Sequence, residues 1–291
     1  MKGRKAPHLA SPIVHLNEID KSAGGTRTCS RRQQTLAQHS DDRKVEGGLR
    51  TRGLYKKTLE RMPLVSVITV VRNGEKCIEA TIRSVLNQEY KNIEYLIVDG
   101  CSKDGTLDII RKYERSIDYW VSEEDTGIYD AMNKGIGLAA GKGLLFLNAG
   151  DHFVGNVLNN QLTIPCFLSV RYIDVFHNMR ELRIKNYRRG IPNCHQGVVF
   201  ENRGLQYDLR YQLASDYDYY LRHGYSYLPF LQSSGYVFYD NEGLSRKNAA
   251  IRDREIVHII KKRFGIIHAS AFLASAMTRL LVRNLLVKSC L

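Results

Sequence analysis

The sequence predicts an α/β fold, with a mostly parallel central sheet, helices on both faces and a smaller antiparallel part after it. Two observations lead there. Between residues 64 and 147, apolar runs of strand length alternate with segments of helical period, as crossover helices between parallel strands require. The runs are apolar at consecutive positions instead of every second one, the pattern of strands covered on both faces.

The elements follow in order. Residues 64–71 (LVSVITVV) form the first buried strand, and residues 76–88 carry Ile78, Ile82, Val85 and Leu86 at helical spacing. Residues 93–98 (IEYLIV) make a second strand ending at Asp99. "SKDGT" turns the chain, and Leu107, Ile109 and Ile110 begin another helix. A strand at 117–121, a helix at 128–139 and a strand at 143–147 complete the alternation. After Asp151 the pattern loosens. Residues 167–175 and 181–187 are expected as antiparallel strands and 194–200 (CHQGVVF) as another; a helix at 216–223, strands at 226–230 and 234–239 and a helix at 248–263 follow. No internal repeat is present.

The net charge of +13 comes from the two flanks. Residues 1–62 hold 14 Lys/Arg against 6 Asp/Glu, residues 246–291 hold 10 against 2, and the middle is slightly acidic. Residues 1–61, basic and rich in Ser, Thr, Gln and Gly, are expected to be a disordered extension, with Met62 a candidate translation start. Residues 62–263 are the expected folded domain and 264–291 a C-terminal amphipathic helix. In that tail, the fifteen residues 264–278 lack Asp, Glu, Lys and Arg, short of the roughly eighteen needed to span a bilayer. Arg279, Arg283 and Lys288 then recur among leucines, as in a helix lying on an anionic membrane. A helix packed on the domain and a transmembrane span are the alternatives. Six cysteines without a CxxC pair argue against zinc or a disulfide scaffold and for reduced cytosolic thiols. The N-terminus has no apolar signal-peptide core.

The chemistry gathers at strand ends. "LLFLNAGD" (144–151) brings Asp151 to the point where a buried strand should surface, and Asp99 and Asp104 stand at or after the end of an earlier strand. In a parallel sheet those ends share one edge, where ligands bind. Each acid can be a turn or helix-capping residue. Asp99 can instead accept hydrogen bonds from a base or ribose, and Asp151 can hold a divalent cation whose other ligands come from phosphates and water. The sequence lacks a GxxxxGK[ST] loop, a GxGxxG turn, a GxSxG elbow and an HExxH helix, which argues against the chemistries those motifs serve.

Six blocks together resemble a known family. They are "VSVITVVRNG" (65–74), "SVLNQEYKNIEYLIVDGCSKDGT" (84–106), "VSEEDTGIYDAMNKGIGLAAGKGLLFLNAGD" (121–151), "CHQGVVF" (194–200), "LASDYDYYLR" (213–222) and "NEGLS" (241–245). They resemble the family 2 glycosyltransferases, close to the bacterial enzymes that build exopolysaccharide, O-antigen and colanic-acid-type repeat units. The resemblance covers about residues 64–250 and implies the GT-A fold, a Rossmann-like αβα sandwich with an antiparallel acceptor-side part. It implies that Val71, Asn73 and Asp99 meet the nucleotide base, that Asp104 shapes that pocket, and that Asp125, Asp130 and Asn133 lie beside the donor. Asp151 would be the metal ligand, Asp216 the catalytic base, and His195 and Gln196 would line the acceptor side. The chain also departs from the family pattern. Gly100 and Cys101 stand where Asp and Gly are common, Met132 where Arg is common, and Ser215 where Glu is common. Lys134 or Arg72 is expected to replace the missing Arg.

The expected reaction moves a sugar from a nucleoside-diphosphate sugar, UDP-linked by resemblance, to a hydroxyl of a saccharide or lipid-linked acceptor, with inversion and with Mg²⁺ or Mn²⁺ as cofactor. Asp216 would take the hydroxyl proton, and Asp218, two residues on, would be structural because the two do not share a helix face. The expected location is the cytoplasm, peripherally on the inner face of the plasma membrane. Two rivals are weaker. A sugar-nucleotide nucleotidyltransferase needs a glycine-rich basic loop after the first strand, and "VVRNGEKC" is too poor in glycine. A nucleic-acid-binding protein needs a basic aromatic groove, and the acidic middle offers none. Donor sugar, acceptor and oligomeric state cannot be read from the sequence.

Overall fold

The strand Val65–Val71 is buried at all seven positions and lies at the centre of the molecule. Its odd-numbered residues Val65, Val67 and Val71 enter one apolar cluster, and Ile68 and Val70 enter another on the opposite face, the period-2 geometry of a strand covered on both sides. The computed structural model describes residues 13–15, 44–174, 177–182, 187–189, 194–225, 227–240 and 248–275. Within them the strands are β1 (Ile13–His15), β2 (Val45–Gly47), β3 (Leu54–Lys56), β4 (Val65–Val71), β5 (Ile93–Asp99), β6 (Tyr119–Ser122), β7 (Gly143–Phe146), β8 (His152–Val154), β9 (Cys166–Phe167), β10 (Val170–Ile173), β11 (Met179–Glu181), β12 (Val198–Glu201) and β13 (Tyr236–Phe238). The helices are α1 (Ile78–Leu86), α2 (Thr106–Lys112), α3 (Ile128–Leu138), α4 (Ser215–His223) and α5 (Ala249–Phe264), with a further helical stretch at 266–275.

The main sheet has the order β2-β6-β5-β4-β7-β12-β9. Strands β4 to β7 are parallel, with Val71 opposite Asp99 and Ile68 opposite Phe146, while β2, β12 and β9 are antiparallel additions. From β4 the chain moves outward through β5 and β6, then returns to the other side of β4 as β7. That reversal opens a crevice beyond the carboxyl ends of β4 and β7, the usual ligand position in such sheets. A smaller sheet of order β11-β10-β13-β8, mostly antiparallel, adjoins it. This is the α/β arrangement expected from the sequence.

Helix α1 buries Ile78, Ile82 and Val85 on one face of the main sheet. Helix α3 buries Met132 and Ile136 on the other, with Tyr219 and Tyr220 of α4. A third cluster joins Ala214 and Tyr217 to Ile256, Ile259 and Ile260 of α5 and to Ala269 and Phe272. Glu255 of α5 accepts the N–H groups of Gln212, Leu213 and Ala214, at 2.8, 2.9 and 2.9 Å. That carboxylate fixes the start of α4, where amide donors would otherwise lack partners.

Three expectations change. Residues 44–61 belong to the described fold, so the boundary at 62 is too late and these residues are not a disordered extension; the reading on 1–12 and 16–43 lies outside the described residues. Strand β2 pairs with β6, Arg50 bonds the buried carboxylate of Glu94, and Lys56 bonds buried Asp118 at 2.9 Å. The stretch at 194–200 opens with a 3-10 turn, His195–Gly197, before β12 begins. Of the strand expected at 226–230, the described residues 227–230 contribute one bridge, between Phe230 and Phe167. The readings on 241–245 and on 276–291 lie outside the described residues.

Candidate active site

Four loops meet at the crevice: those after β4, β5, β6 and β7. The last ends in Asp151, which is 3% exposed. One carboxylate oxygen accepts the Asp240 N–H at 2.8 Å and the other accepts Gln196 Nε2 at 2.8 Å. Burial pushes its carboxyl up to about 7, opposed by those two hydrogen bonds and by His195, and reinforced by the charge of Asp240. A carboxylate so placed lacks a full counter-charge. Two nearby side-chain oxygens, Asn148 Oδ1 and Gln196 Oε1, are buried without a hydrogen-bond partner. Buried acceptors without a protein partner are rare, and a water or an ion can satisfy them.

Asp216 lies in the first turn of α4, where the helix end favours an anion. Its Oδ1 accepts the Tyr217 N–H at 2.8 Å and the Tyr129 hydroxyl at 3.4 Å, and its Oδ2 lies 3.5 Å from His195 Nδ1. His195 and Gln196 are therefore one dipeptide that touches Asp216 with its first side chain and Asp151 with its second. The Nε2 atom of His195 is buried and unpartnered, and the ring stands edge-on to Phe146, centroids 6.0 Å apart. Asp218 faces elsewhere: it pairs with Arg222 at 2.6 Å and Arg263 at 3.5 Å. Gly224, at φ 67°, ends the helix in the left-handed conformation that glycine adopts at least cost.

The donor-side residues divide into those that face the crevice and those that build its walls. Val71 is buried at the end of β4, and its carbonyl receives the Gly100 N–H at 2.9 Å. Asn73 holds φ at 54°; its N–H donates to Ser102 and its Oδ1 receives the Lys103 N–H at 2.8 Å, so it locks the loops after β4 and β5 together. Asp99 is 0% exposed and receives the Ser102 N–H, the Ser102 hydroxyl and the Ser122 hydroxyl. Three of about four acceptor sites are thus used internally, and Asp99 fixes the loop that follows β5. Asp104 receives the Glu75 and Thr106 N–H groups, and the Thr106 hydroxyl, first among these causes, holds its carboxyl below the usual range. Asp130 receives the Thr126 N–H at 2.9 Å, an N-terminal capping contact of α3.

Asn133, expected beside the donor, has both ends of its amide on the Tyr207 backbone, at 2.6 and 3.0 Å, and staples α3 to a distant segment. Met132 is a core residue at 0% exposure. Lys134 is committed to the Glu124 carbonyl and to Glu123 at 3.1 Å, whereas Arg72, the other cation expected there, is exposed. Tyr129 and Asp240 escaped the sequence reading as site residues. Tyr129 lies inside the quoted block "DTGIYDAMNKG"; nothing local marks Asp240, whose partner is 89 residues away.

Comparison with known proteins identifies the family. Residues 66–163 match the family described as Glycosyl transferase family 2. The chain is 33% identical over 186 residues to a PGL/p-HBAD biosynthesis glycosyltransferase of Mycobacterium bovis, covering 55% of this chain and 69% of that protein. It is 42% identical over 103 residues to the putative teichuronic acid biosynthesis glycosyltransferase TuaG of Bacillus subtilis, covering 34% of this chain and 41% of TuaG. For some relatives the match therefore spans well under half of their own length, as little as 36%. Among solved structures, S. aureus TarS 1–349 in complex with UDP superposes with a TM-score of 0.52 at 17% identity, over 74% of this chain and 71% of that one, a likeness of fold. With more than two thirds of the M. bovis protein matched at 33% identity, and the family pattern found over residues 66–163, the chain belongs to glycosyl transferase family 2.

Proposed function

We propose that this chain is a glycosyltransferase that moves a sugar from a nucleoside-diphosphate sugar, UDP-linked in the first instance, to a hydroxyl of a saccharide or lipid-linked acceptor during polysaccharide assembly. The observation that carries the reading is the His195–Gln196 dipeptide, which ties Asp151 at the β7 end of the crevice to Asp216 at the head of α4. One carboxylate thus faces the donor side and the other the acceptor side of one cleft. The TarS likeness and the polymer-assembly names of the M. bovis and B. subtilis relatives support the donor and acceptor classes.

In this reading, the loops after β4, β5 and β6 receive the nucleotide, and Asp216 with His195 does the acid–base work on the acceptor hydroxyl. A proton leaves that hydroxyl for the base as its oxygen attacks the anomeric carbon, and the nucleoside diphosphate departs. A single displacement of this kind inverts the anomeric centre. The residues present suit Mg²⁺ or Mn²⁺. Asp151 would hold the ion through a carboxylate set among oxygen atoms, with Asp240 beside it; among the described residues no three His, Cys, Asp or Glu form a closed cage. Such ions take one or two carboxylates and leave room for phosphate oxygens and water. When bound, the ion supplies Lewis-acid stabilisation of charge on the departing diphosphate.

We place the enzyme in the cytoplasm, peripherally on an anionic membrane. No described helix is long and apolar enough to cross one. Ile266 and Ile267, 65% and 81% exposed, come three and four residues after Arg263, the last of the basic run Lys261, Lys262 and Arg263. The function is tested by incubating the full chain with UDP-, GDP- and dTDP-linked sugars, with and without Mn²⁺, and measuring released nucleoside diphosphate. Metal-dependent release from at least one donor is expected; none from any donor would refute the reading.

A further inference from the structure

The smaller sheet turns one face to the core and the other outward. Phe153, Val170 and Val237 enter the apolar cluster beneath it. Their neighbours in the chain, His152 and Val154 on β8, Arg171 on β10 and Tyr236 and Phe238 on β13, therefore share the opposite face, where they are half-buried. Glu181 lies opposite Arg171 in β11 and joins that face. The His152 ring stacks on Phe238, centroids 4.8 Å apart, and the Arg171 guanidinium lies 4.3 Å from the centre of the Tyr236 ring.

A cavity of about 400 Å³ opens at one end of this face, lined by Arg171, Glu181, Phe230, Gln232, Ser234 and Tyr236. That size lies within the roughly 300–1,000 Å³ of small-molecule sites. Its groups have bonding capacity left. Beyond its contact with the Tyr236 ring, Arg171 makes no hydrogen bond or ion pair among the described residues. Glu181 accepts the Ser169 hydroxyl at 3.0 Å and pairs with no cation among them. Phe230 is 40% exposed. Most ligand cavities are lined by apolar side chains; here a fork of donors, a carboxylate and an amide stand around two aromatic rings. Hydroxyl groups use both donors and acceptors, and the weakly positive C–H face of a sugar ring suits the negative face of an aromatic one. The opposite charges of Arg171 and Glu181 favour an uncharged saccharide over an anionic one.

The cavity is joined to the crevice. The chain runs from Tyr236 at the cavity, through β13 and Tyr239, whose N–H still bonds the Arg171 carbonyl, to Asp240, whose N–H bonds Asp151. Four residues of extended chain cover about 13 Å. Phe238 and His152 occupy the interval on the outward face. We propose that the cavity is a subsite for the sugar residues of the acceptor that precede the reacting one, so that the enzyme elongates a saccharide already begun instead of placing the first sugar on a lipid. The assignment rests on the glycosyltransferase reading and narrows its acceptor.

The test measures binding of the full chain to immobilised neutral mono-, di-, tri- and tetrasaccharides of hexoses and N-acetylhexosamines. The variants are Arg171→Gln, which removes the donor fork, and Ser234→Trp, which fills the cavity from an exposed position. Melting temperature and oligomeric state are recorded for each. The wild type is expected to bind at least one oligosaccharide more tightly than any monosaccharide. Arg171→Gln should weaken that binding about ten- to a hundredfold, the range for a lost hydrogen bond to a charged group, and Ser234→Trp should abolish it. Neither should change the release of nucleoside diphosphate from the donor without acceptor, because neither residue belongs to the crevice. A wild type that binds none of the saccharides, or variants that bind and melt as it does, overturns the assignment and leaves the enzyme reading intact. So does a dimer that Ser234→Trp dissociates with no saccharide bound, which would mark the cavity as a contact between copies. A wild type that binds the oligosaccharide but releases no nucleoside diphosphate from any donor contradicts the enzyme reading while the sugar site stands.

Discussion

Asp216 and Asp218 stand two residues apart in α4, and the structure gives them different surroundings. Asp216 meets His195 and Tyr129, whereas Asp218 is neutralised by Arg222 and Arg263. Asp216→Asn should therefore lower kcat by about 10²–10⁴-fold, the usual worth of a placed base, with little change in melting temperature. Asp218→Asn should do the reverse, losing stability while retaining the rate. Parallel kinetics and melts on the two variants separate these outcomes; equal rate losses would contradict the assignment. At this scale the sequence was legible where an acid ends a strand or begins a helix, as with Asp151 and Asp216. It was not legible where a side chain's partner is remote. Asn133 reads as a donor contact until its amide is found on the backbone of Tyr207, 74 residues along. The internal commitment of Asp99 likewise depends on Ser122, which lies on the neighbouring strand.

At the scale of elements, the three-residue strands before residue 61 show why composition can mislead. Val45–Gly47 and Leu54–Lys56 are too short to display a hydrophobic period, and the basic residues in and around them read as a solvated tail. Their role comes from across the sheet. Arg50 answers Glu94, which is also held by Ser66 and the Ala140 N–H at 2.5 and 2.8 Å. Arg50→Met leaves that carboxylate buried without its counter-charge and should cost about 3–5 kcal/mol, measurable by urea denaturation. A chain begun at Met62 should lose this pairing and that of Lys56 with Asp118, and melt well below the full chain. Helix α4 carries a second element-level signature. Burial, first, and the charges of Arg203 and Arg222 lower His223 from 6.5 to about 4. The fold accepts only its neutral ring, so stability present above about pH 6.5 should be lost as pH falls toward 4. His223→Gln should flatten that part of the melting-temperature profile.

For the whole molecule, the alternation of buried strands and helices made the parallel sheet legible, because every crossover imposes its own period on the sequence. The position of the crevice followed less directly, since it depends on β7 returning beside β4 instead of beyond β6. The smaller sheet was legible only in outline; its strands of three or four residues are set by their pairing with other segments. The uneven charge has a consequence at this scale. Full-length protein should sediment with anionic vesicles at low salt and less so at high salt, each basic group near the surface contributing roughly 1 kcal/mol. Replacing Lys261 and Lys262 by Ala should weaken the association, and equal sedimentation with zwitterionic vesicles would contradict it. The account as a whole turns on the crevice between Asp151 and Asp216. The most direct measurement is a crystal grown with Mn²⁺ and UDP, with the ion located by its anomalous scattering. The expected result is a peak bonded to the Asp151 carboxylate, with the diphosphate lying between it and Asp216. An ion and diphosphate bound away from both residues would contradict the account.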